Sequence, residues 1–155
     1  PWLFEKLGDP AVCRGPGSQK FQGTLLDAVG EIGDDAASPH LAELFRRRLP
    51  RDNFRRKRQV IIIDTLGAIA QQGGKKSLEL LVVLLGNEDF LIRAHAVSNI
   101  ATAFWHRPND LPDPIFERLL SLFRDSNLYV QHALLSALES LADIGCQRAA
   151  ELFSD

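Results

Sequence analysis

The chain has 155 residues, 45% of them hydrophobic and 25% charged, and its formal net charge is −2. This composition is typical of a folded globular protein and excludes a disordered tail. No apolar run approaches the roughly 18 residues that a membrane-spanning helix requires, and the first residues lack the basic-then-apolar pattern of a signal segment, so we expect no membrane partner.

The chain reads as a series of helices in pairs. Residues 1–18 predict the end of one helix and a Pro/Gly linker, and because the chain begins with Pro1 and contains no Met, we expect it to be a piece of a longer multidomain protein. From residue 19, apolar residues recur at helical spacing in consecutive segments separated by Gly or Pro. These segments are 19–33 with 38–49, 55–72 with 76–87, 89–105 with 115–125, and 127–145 with 146–153.

The helix pairs align with one another in sequence. Val29, Leu66, Ile100 and Leu138 form one column, at separations of 37, 34 and 38. The β-branched run 60–63 resembles a strand by itself, but its residues fall in such columns, which favours helix. The other columns are Leu25/Ile62/Ala96/Leu134, Leu26/Ile63/Val97/Leu135, Leu41/Leu78/Phe116, Leu44/Leu81/Leu119 and Phe45/Val82/Leu120.

Such columns have a physical reason. One helix pair cannot bury both of its apolar stripes, so neighbouring pairs stack and share a continuous core. The sequence therefore predicts an all-α fold, an α-solenoid of about four antiparallel helix pairs. The repeats are expected at about 19–52, 53–88, 89–125 and 126–155.

The opening of the third pair carries a resemblance. Asp89, Ile92, Arg93 and Ala96 match the D-x-x-[VI]-R-x-x-A opening of the lyase-type HEAT-like repeats. The aligned Ile-Arg position holds Arg58-Gln59 in the preceding pair and Val130-Gln131 in the following one. From about residue 19 to 153 the chain thus resembles the HEAT-repeat family, with armadillo-type repeats as the near alternative. The resemblance implies a right-handed solenoid whose second helices line a concave surface used for protein partners.

A basic cluster lies between the first two pairs. Residues 46–58 carry eight basic side chains and one Asp, a local charge of +7, so the rest of the chain carries −9. Basic residues suit a helix C-terminus but not the following helix N-terminus, and this mismatch indicates an external anion: an acidic protein segment, a phosphate or a nucleic-acid backbone. The alternative is a solvated charged turn. The residues assigned to partner binding here are Arg46, Arg47, Arg51, Arg55, Arg56, Lys57 and Arg58.

A second candidate surface is the side of the second helices that faces away from the first helices. There Leu80, Val83, Leu84 and Leu122 are expected to form an apolar patch, flanked by Arg46, Arg47 and Arg118. Apolar exposure of this kind usually marks a contact site. The alternative is that the second-repeat helix is apolar all round because it is central and buried on most sides.

The spacing of the His, Cys, Asp and Glu residues does not match a catalytic or metal-binding motif. His95 and His132 lie on adjacent first helices, but neither has a carboxylate or Cys at i+3 or i+4, so we expect no zinc or catalytic role. Trp105 is expected to be a packing residue at the repeat edge, with an exposed ligand-stacking role as the alternative. Cys13 and Cys146 form no CxxC pattern, which favours reduced thiols in a cytoplasmic protein. We assign no catalytic, cofactor-binding or metal site.

The expected function is therefore non-catalytic. The chain is predicted to be a scaffold or recognition module for an acidic or amphipathic protein partner, or for a neighbouring domain of its own chain. The alternative is a nucleic-acid-binding module that contacts phosphates through the basic cluster, which lacks aromatics other than Phe54 for base stacking. A third hypothesis, a HEAT-like lyase or glycosylase, requires a carboxylate and aromatics that the inner columns lack.

Overall fold

The computed structural model describes residues 18–46 and 55–154, apart from the side chains of residues 18, 19 and 21. These residues are all-helical and include no strand, which confirms the all-α prediction and the helical interpretation of residues 60–63. Within the described ranges, no helix combines the length and apolarity needed to cross a bilayer. The predicted linker lies outside them, except for Ser18.

Eight α-helices and three short 3-10 helices make up the described chain. The α-helices are α1 (Ser18–Ile32), α2 (Ser38–Arg46), α3 (Arg55–Gln71), α4 (Lys75–Leu84), α5 (Phe90–Ala103), α6 (Asp113–Leu120), α7 (Leu128–Asp143) and α8 (Gln147–Glu151). The 3-10 helices are Asp35–Ala37, Pro108–Asp110 and Ser121–Arg124. The predicted segments are therefore present in the predicted order.

Local signals explain where the helices begin and end. The Asp89 carboxylate accepts from the amide of Leu91 at the start of α5, and the Asn127 side chain accepts from Tyr129 at the start of α7. Gly33 and Gly145 follow α1 and α7 with φ of 68° and 93°, a left-handed conformation that stops a helix and favours glycine.

The long helices α1, α3, α5 and α7 pack in a row, each against the next. The shorter helices pack against the long helices and, in one case, against each other. Helix α2 contacts α3 and α4, α4 also contacts α3 and α5, and α8 contacts α7. The column of Val29, Leu66, Ile100 and Leu138 is buried throughout, as the alignment predicts. In the neighbouring column Leu135 is the exception, because α7 is the last long helix described and the side chain is 40% exposed.

An arginine near the start of a long helix binds an aspartate just before the next long helix at two places in the chain. Arg93 of α5 donates from Nε and Nη2 to the two carboxylate oxygens of Asp125, both at 2.7 Å. One pair earlier, Arg56 of α3 donates from Nε to Asp89 at 2.9 Å. The aligned columns place Arg58-Gln59 opposite Ile92-Arg93 and predict no repeated arginine, but Arg56 makes the corresponding contact. The Arg93 contact ties the start of α5 to the turn that precedes α7.

A second link joins the short helices α2 and α4. The Asp35 carboxylate accepts from the backbone amides of Lys76 and Ser77 at 2.9 and 3.0 Å, so it caps α4 from the preceding pair. The hydroxyls of Ser38 and Ser77 are 2.6 Å apart beside it. Burial raises the pKa of Asp35, but the hydrogen bonds from the two amides and two hydroxyls outweigh burial and lower the pKa below its usual value.

A similar link reaches α8. The Asn109 side chain accepts from the amide of Gln147 at 3.1 Å and donates to the carbonyl of Gly145 at 3.2 Å. The Arg148 guanidinium binds the Asp113 carboxylate and the Leu111 carbonyl, and it lies 4.6 Å from the ring centroid of Phe116. The short helices are thus tied together at both ends of the row.

Candidate functional site

An apolar groove of about 670 Å³ opens between α4, α6 and the connection before α6. Its floor includes Leu78 and Val82 of α4, Phe104 at the end of α5, and Ile115 of α6. Leu78, Val82 and Ile115 are only partly buried. Val83 lines the same groove and is 72% exposed, one of the most exposed large apolar side chains described. We call this feature the α4–α6 groove.

The groove occurs where the link between short helices is missing. No hydrogen bond joins α4 to α6 in the part of the chain that the structure describes. The turn that would supply a cap for α6 is Gly73-Gly74, which has no side chain, and Pro112 at the start of α6 makes no side-chain cap either. We call the junction between two consecutive short helices a step. Asp35 provides a hydrogen-bonded contact at the α2–α4 step and Asn109 provides one at the α6–α8 step, but the α4–α6 step lacks such a contact.

Packing prevents a capping side chain at Gly74. A Cβ at this position would lie 2.6 Å from Ile69 Cγ2 and 3.0 Å from the Asp35 carboxylate oxygen. Such distances are shorter than van der Waals contact, so a larger residue would displace the Asp35 cap. The close approach between Gly74, Ile69 and Asp35 therefore leaves no room at Gly74 for a side chain that could cap α6.

Four charged side chains surround the apolar floor. Lys75 and Glu79 lie on α4, while Arg107 and Asp110 lie on the connection to α6. All four are exposed, and none forms an ion pair within the described residues. Arg107 is positioned by its contact with the Phe104 ring, 5.8 Å from guanidinium carbon to centroid, and by a long hydrogen bond of 3.4 Å to the Ala70 carbonyl.

The groove differs from the predicted apolar patch. Of that patch only Val83 lines it; Leu80 and Leu84 are partly buried and pack against the core, which agrees with the alternative of a central helix that is apolar all round. Leu78 and Val82, which the columns assigned to the shared core, are partly buried against that core and also line the groove. The open side of α4 is therefore the side facing α6.

Leu122 does not belong to an exposed patch. The side chain is only 6% exposed, whereas neighbouring Phe123 is 42% exposed. The reason is that α6 ends at Leu120 and continues as the 3-10 helix Ser121–Arg124. A 3-10 helix has three residues per turn, so the face expected from a period of 3.6 no longer applies, and Leu122 points into the core. Arg118 is exposed, with Nη2 3.4 Å from where a Cβ on Gly86 would lie.

The basic cluster is divided among different roles. Arg56 is paired with Asp89, and Arg58 is only 6% exposed, on the same face of α3 as Ile62 and Ile69. Arg58 is therefore not an exposed anion-binding residue, because its position on α3 turns it into the core. Arg55 is half-buried, with its Nε atom inaccessible to solvent.

Two further exposed cations remain in the described part of the cluster. Arg46 is exposed and lies 3.7 Å from the Glu43 carboxylate, and Lys57 is exposed on α3. Arg47, Arg51 and Phe54 lie outside the described residues. The structure thus leaves fewer arginines of α3 available to an external anion than the sequence suggested.

The histidines show one contact that the sequence analysis missed. His95 Nδ1 lies 3.6 Å from the Asp64 carboxylate of the preceding long helix, and Asn99 donates to the same carboxylate at 2.9 Å. The carboxylate comes from a neighbouring pair, so no i+4 pattern marks it. His132 is exposed. Among the described side chains, no three His, Cys, Asp or Glu residues come together as a metal site, and the thiol of Cys146 is buried.

A smaller cavity of about 170 Å³ lies between α5 and α7. Trp105, 47% exposed, borders it together with several hydroxyl-bearing residues. The hydroxyls of Ser98, Thr102 and Ser140 each donate to the carbonyl four residues earlier in their own helix. The one hydrogen that each of these hydroxyls can donate is therefore used within its own helix, and the cavity is also much smaller, so it is a weaker candidate than the α4–α6 groove.

One sequence signal could have located the groove. The columns of the long helices place the third pair 34 residues after the second, for example Leu66 to Ile100, whereas Leu78 to Phe116 is 38. The connection before α6 is therefore four residues longer than that before α4, and it contains Arg107 and Asp110.

Comparison of the chain with protein-family models, curated proteins and solved structures found no match.

Proposed function

We propose that the chain is part of a HEAT-like α-solenoid that acts as a non-catalytic interaction module in the cytoplasm. Its partner is a protein, or a neighbouring domain of the same chain, that places an amphipathic segment in the α4–α6 groove. The row of long helices, the recurring arginine–aspartate contact and the aligned core columns support the solenoid.

The observation that carries this function is the apolar floor of the groove. Leu78, Val82 and Ile115 are left partly exposed at a step where the groove separates two short helices, and Val83 is 72% exposed beside them. Covering such a surface is favourable by about 25 cal/mol for each Å² of apolar area removed from water. An apolar centre surrounded by a polar or charged rim is the usual arrangement of a protein–protein interface.

The nucleic-acid alternative has less support. Arg58 is buried, and Arg56, although its side chain is 61% exposed, is already paired with Asp89, so two of the four basic residues that open α3 are not free surface cations. Phosphate recognition depends on several accessible cations acting together. The groove is accordingly preferred over the basic cluster as the primary contact surface.

A peptide-library selection tests the proposal. The immobilised protein is used to enrich binders from random peptides about 16 residues long, enough for roughly four helical turns, in parallel with the variants Val83→Asp and Leu128→Asp. Both side chains are highly exposed, 72% and 78%, so neither substitution is expected to unfold the protein. Leu128 lies on α7, outside the groove, and is the matched control.

We expect peptides that bind the unmodified protein and Leu128→Asp equally, and that lose at least about tenfold in affinity for Val83→Asp, because a buried unpaired carboxylate opposes binding. Circular dichroism and thermal melts establish that both variants are folded. Failure to enrich any peptide, or enrichment that is indifferent to Val83→Asp, contradicts the proposed function.

A further inference from the structure

We infer that the segment received by the α4–α6 groove is an amphipathic α-helix with charges of both signs along its flanks, rather than an extended or strongly acidic peptide. This inference rests on the proposed function and specifies the chemistry of its partner. Three observations carry it: an apolar floor without backbone partners, walls made of helices, and unpaired charges of both signs at the rim.

The floor cannot satisfy an extended backbone. The side chains of Leu78, Val82 and Ile115 offer no hydrogen-bonding atoms, and the amides of Leu78 and Ile115 already donate to the carbonyls of Gly74 and Pro112. Addition of a strand requires a free sheet edge, and the described residues contain no strand. Each amide or carbonyl buried without a partner would weaken binding by roughly tenfold or more, whereas a helix satisfies its own backbone.

The walls are suited to a helix. At the preceding step α2 and α4 pack directly as two helices, with Ser38 and Ser77 in contact. At the α4–α6 step this contact is replaced by the groove. Leu78 and Val82, four residues apart, form an apolar ridge on the α4 side of the floor, and Ile115 lies on the α6 side. An incoming helix with apolar residues at i, i+3, i+4 and i+7 interdigitates with such a ridge.

The rim charges set the flanks of that helix. Each side of the groove carries one cation and one anion: Lys75 and Glu79 on α4, Arg107 and Asp110 on the connection. None is in an ion pair within the described residues. A helix with both signs on its flanks can pair with each side, whereas a strongly acidic one would meet Glu79 and Asp110 with like charge. The complementary partner is thus close to neutral overall.

The test uses the best peptide from the library selection, synthesised in three forms. One is the selected sequence, one has Pro at its centre, and one is locked as a helix by a hydrocarbon staple on its polar face. Affinities are measured by fluorescence anisotropy at about 50 and 500 mM salt. The distance over which exposed charges interact, the Debye length, is about threefold shorter at the higher concentration. The protein is used unmodified and as the double variant Lys75→Glu/Glu79→Lys, which keeps its net charge.

We expect the central Pro to weaken binding by about 100-fold, because Pro interrupts a helix interior, and the stapled form to bind at least as tightly as the selected one. Salt should change affinity by less than about threefold, since attraction and repulsion at the rim are screened together. The double variant should weaken the selected peptide about three- to tenfold, and a peptide with exchanged flank charges should restore binding.

The outcomes separate the inference from the function on which it rests. A peptide that depends on Val83 yet tolerates Pro or lacks helical periodicity shows that the groove docks an extended segment, which overturns the helix. A fall of about tenfold or more with salt shows a strongly charged partner, which overturns the mixed flanks. If no selected peptide depends on Val83, the docking function itself fails.

Discussion

Arg93 of α5 and Asp125, which lies just before α7, form a bidentate salt bridge with both nitrogen–oxygen distances at 2.7 Å. The remaining guanidinium nitrogen of Arg93, Nη1, donates to the carbonyls of Asn87 and Glu88 at 2.8 and 3.1 Å. The Arg93 and Asp125 side chains are only 13% and 7% exposed. Arg93 thereby orders the turn before α5 and fixes the residues that precede α7.

The burial of this pair predicts its contribution to stability. Replacing Arg93 by Ala leaves the Asp125 carboxylate buried and unpaired, so we expect the free energy of unfolding to fall by about 3 kcal/mol. Arg56→Ala is the matched control, because its contact with Asp89 is similar but the Arg56 side chain is 61% exposed. That change should cost no more than about 1 kcal/mol. Urea unfolding followed by circular dichroism measures both; equal losses would refute the role assigned to burial.

Two carboxylates make stability sensitive to acid. The hydrogen bond from Arg93 lowers the pKa of Asp125 despite the opposing effect of burial, and hydrogen bonds likewise lower the pKa of Asp35. A lowered pKa in the folded state means that both groups stabilise the fold above their unfolded pKa of about 3.9, and that this stability is lost as pH falls through their folded pKa values.

We therefore expect the free energy of unfolding to decrease as pH is lowered below about 5. The double variant Asp35→Asn/Asp125→Asn should be less stable at neutral pH but should show a flatter decline in acid. Urea titrations at several pH values between about 7 and 2.5 provide the comparison. Parallel pH profiles for the two proteins would show that other groups control acid sensitivity.

The contribution of the Asp35 cap on α4 to stability can be compared with that of a cap within a single turn. Asp35→Ala removes the acceptor for the amides of Lys76 and Ser77, and we expect a loss of about 1–2 kcal/mol. Asp34→Ala is the control, since Asp34 caps only the amide of Ala36 in the adjoining 3-10 helix. Its loss should remain below about 1 kcal/mol. A larger effect at Asp34 than at Asp35 would argue against the link between helix pairs.

Replacing glycine by alanine should lower the stability of the protein at one position and raise it at another. Gly74→Ala places a Cβ against Ile69 and the Asp35 carboxylate, and we expect a loss of about 1–3 kcal/mol from overpacking. Gly23 lies within α1, and a Cβ added there would have no neighbouring atom within 4 Å, so Gly23→Ala should stabilise the protein by about 0.5–1 kcal/mol. Thermal melts of the two variants check the signs, and a stable Gly74→Ala would mean that the turn has room to relax.

The helical content and most of the core were predictable from sequence. Val29, Leu66, Ile100 and Leu138 recur at nearly constant separation, and such a column is buried whenever the pairs stack. The fate of single side chains was harder to predict. Leu122 and Arg58 were both assigned to exposed sites, yet each is 6% exposed. A change to 3-10 geometry decides the first, and position on the packed face of α3 decides the second.

The α4–α6 groove likewise combines a feature that the sequence predicts with one that it does not. Periodicity placed Leu78 and Val82 on the apolar side of their helix correctly, because that periodicity is a local property of the chain. It could not tell whether a neighbouring helix would cover them, since the coverage depends on how the longer connection sets α6 relative to α4.

By itself, then, the sequence determined the helices, their order and the aligned apolar columns, because turn residues and a helical period act within a few residues of one another. Only the tertiary structure decided that Arg56 and Arg93 each bind an aspartate just before the next long helix, that Asp35 closes one step between short helices, and that the next step, after Gly73-Gly74, stays open. These contacts join residues that are 33, 41 and 32 positions apart, so their geometry depends on how whole helices pack.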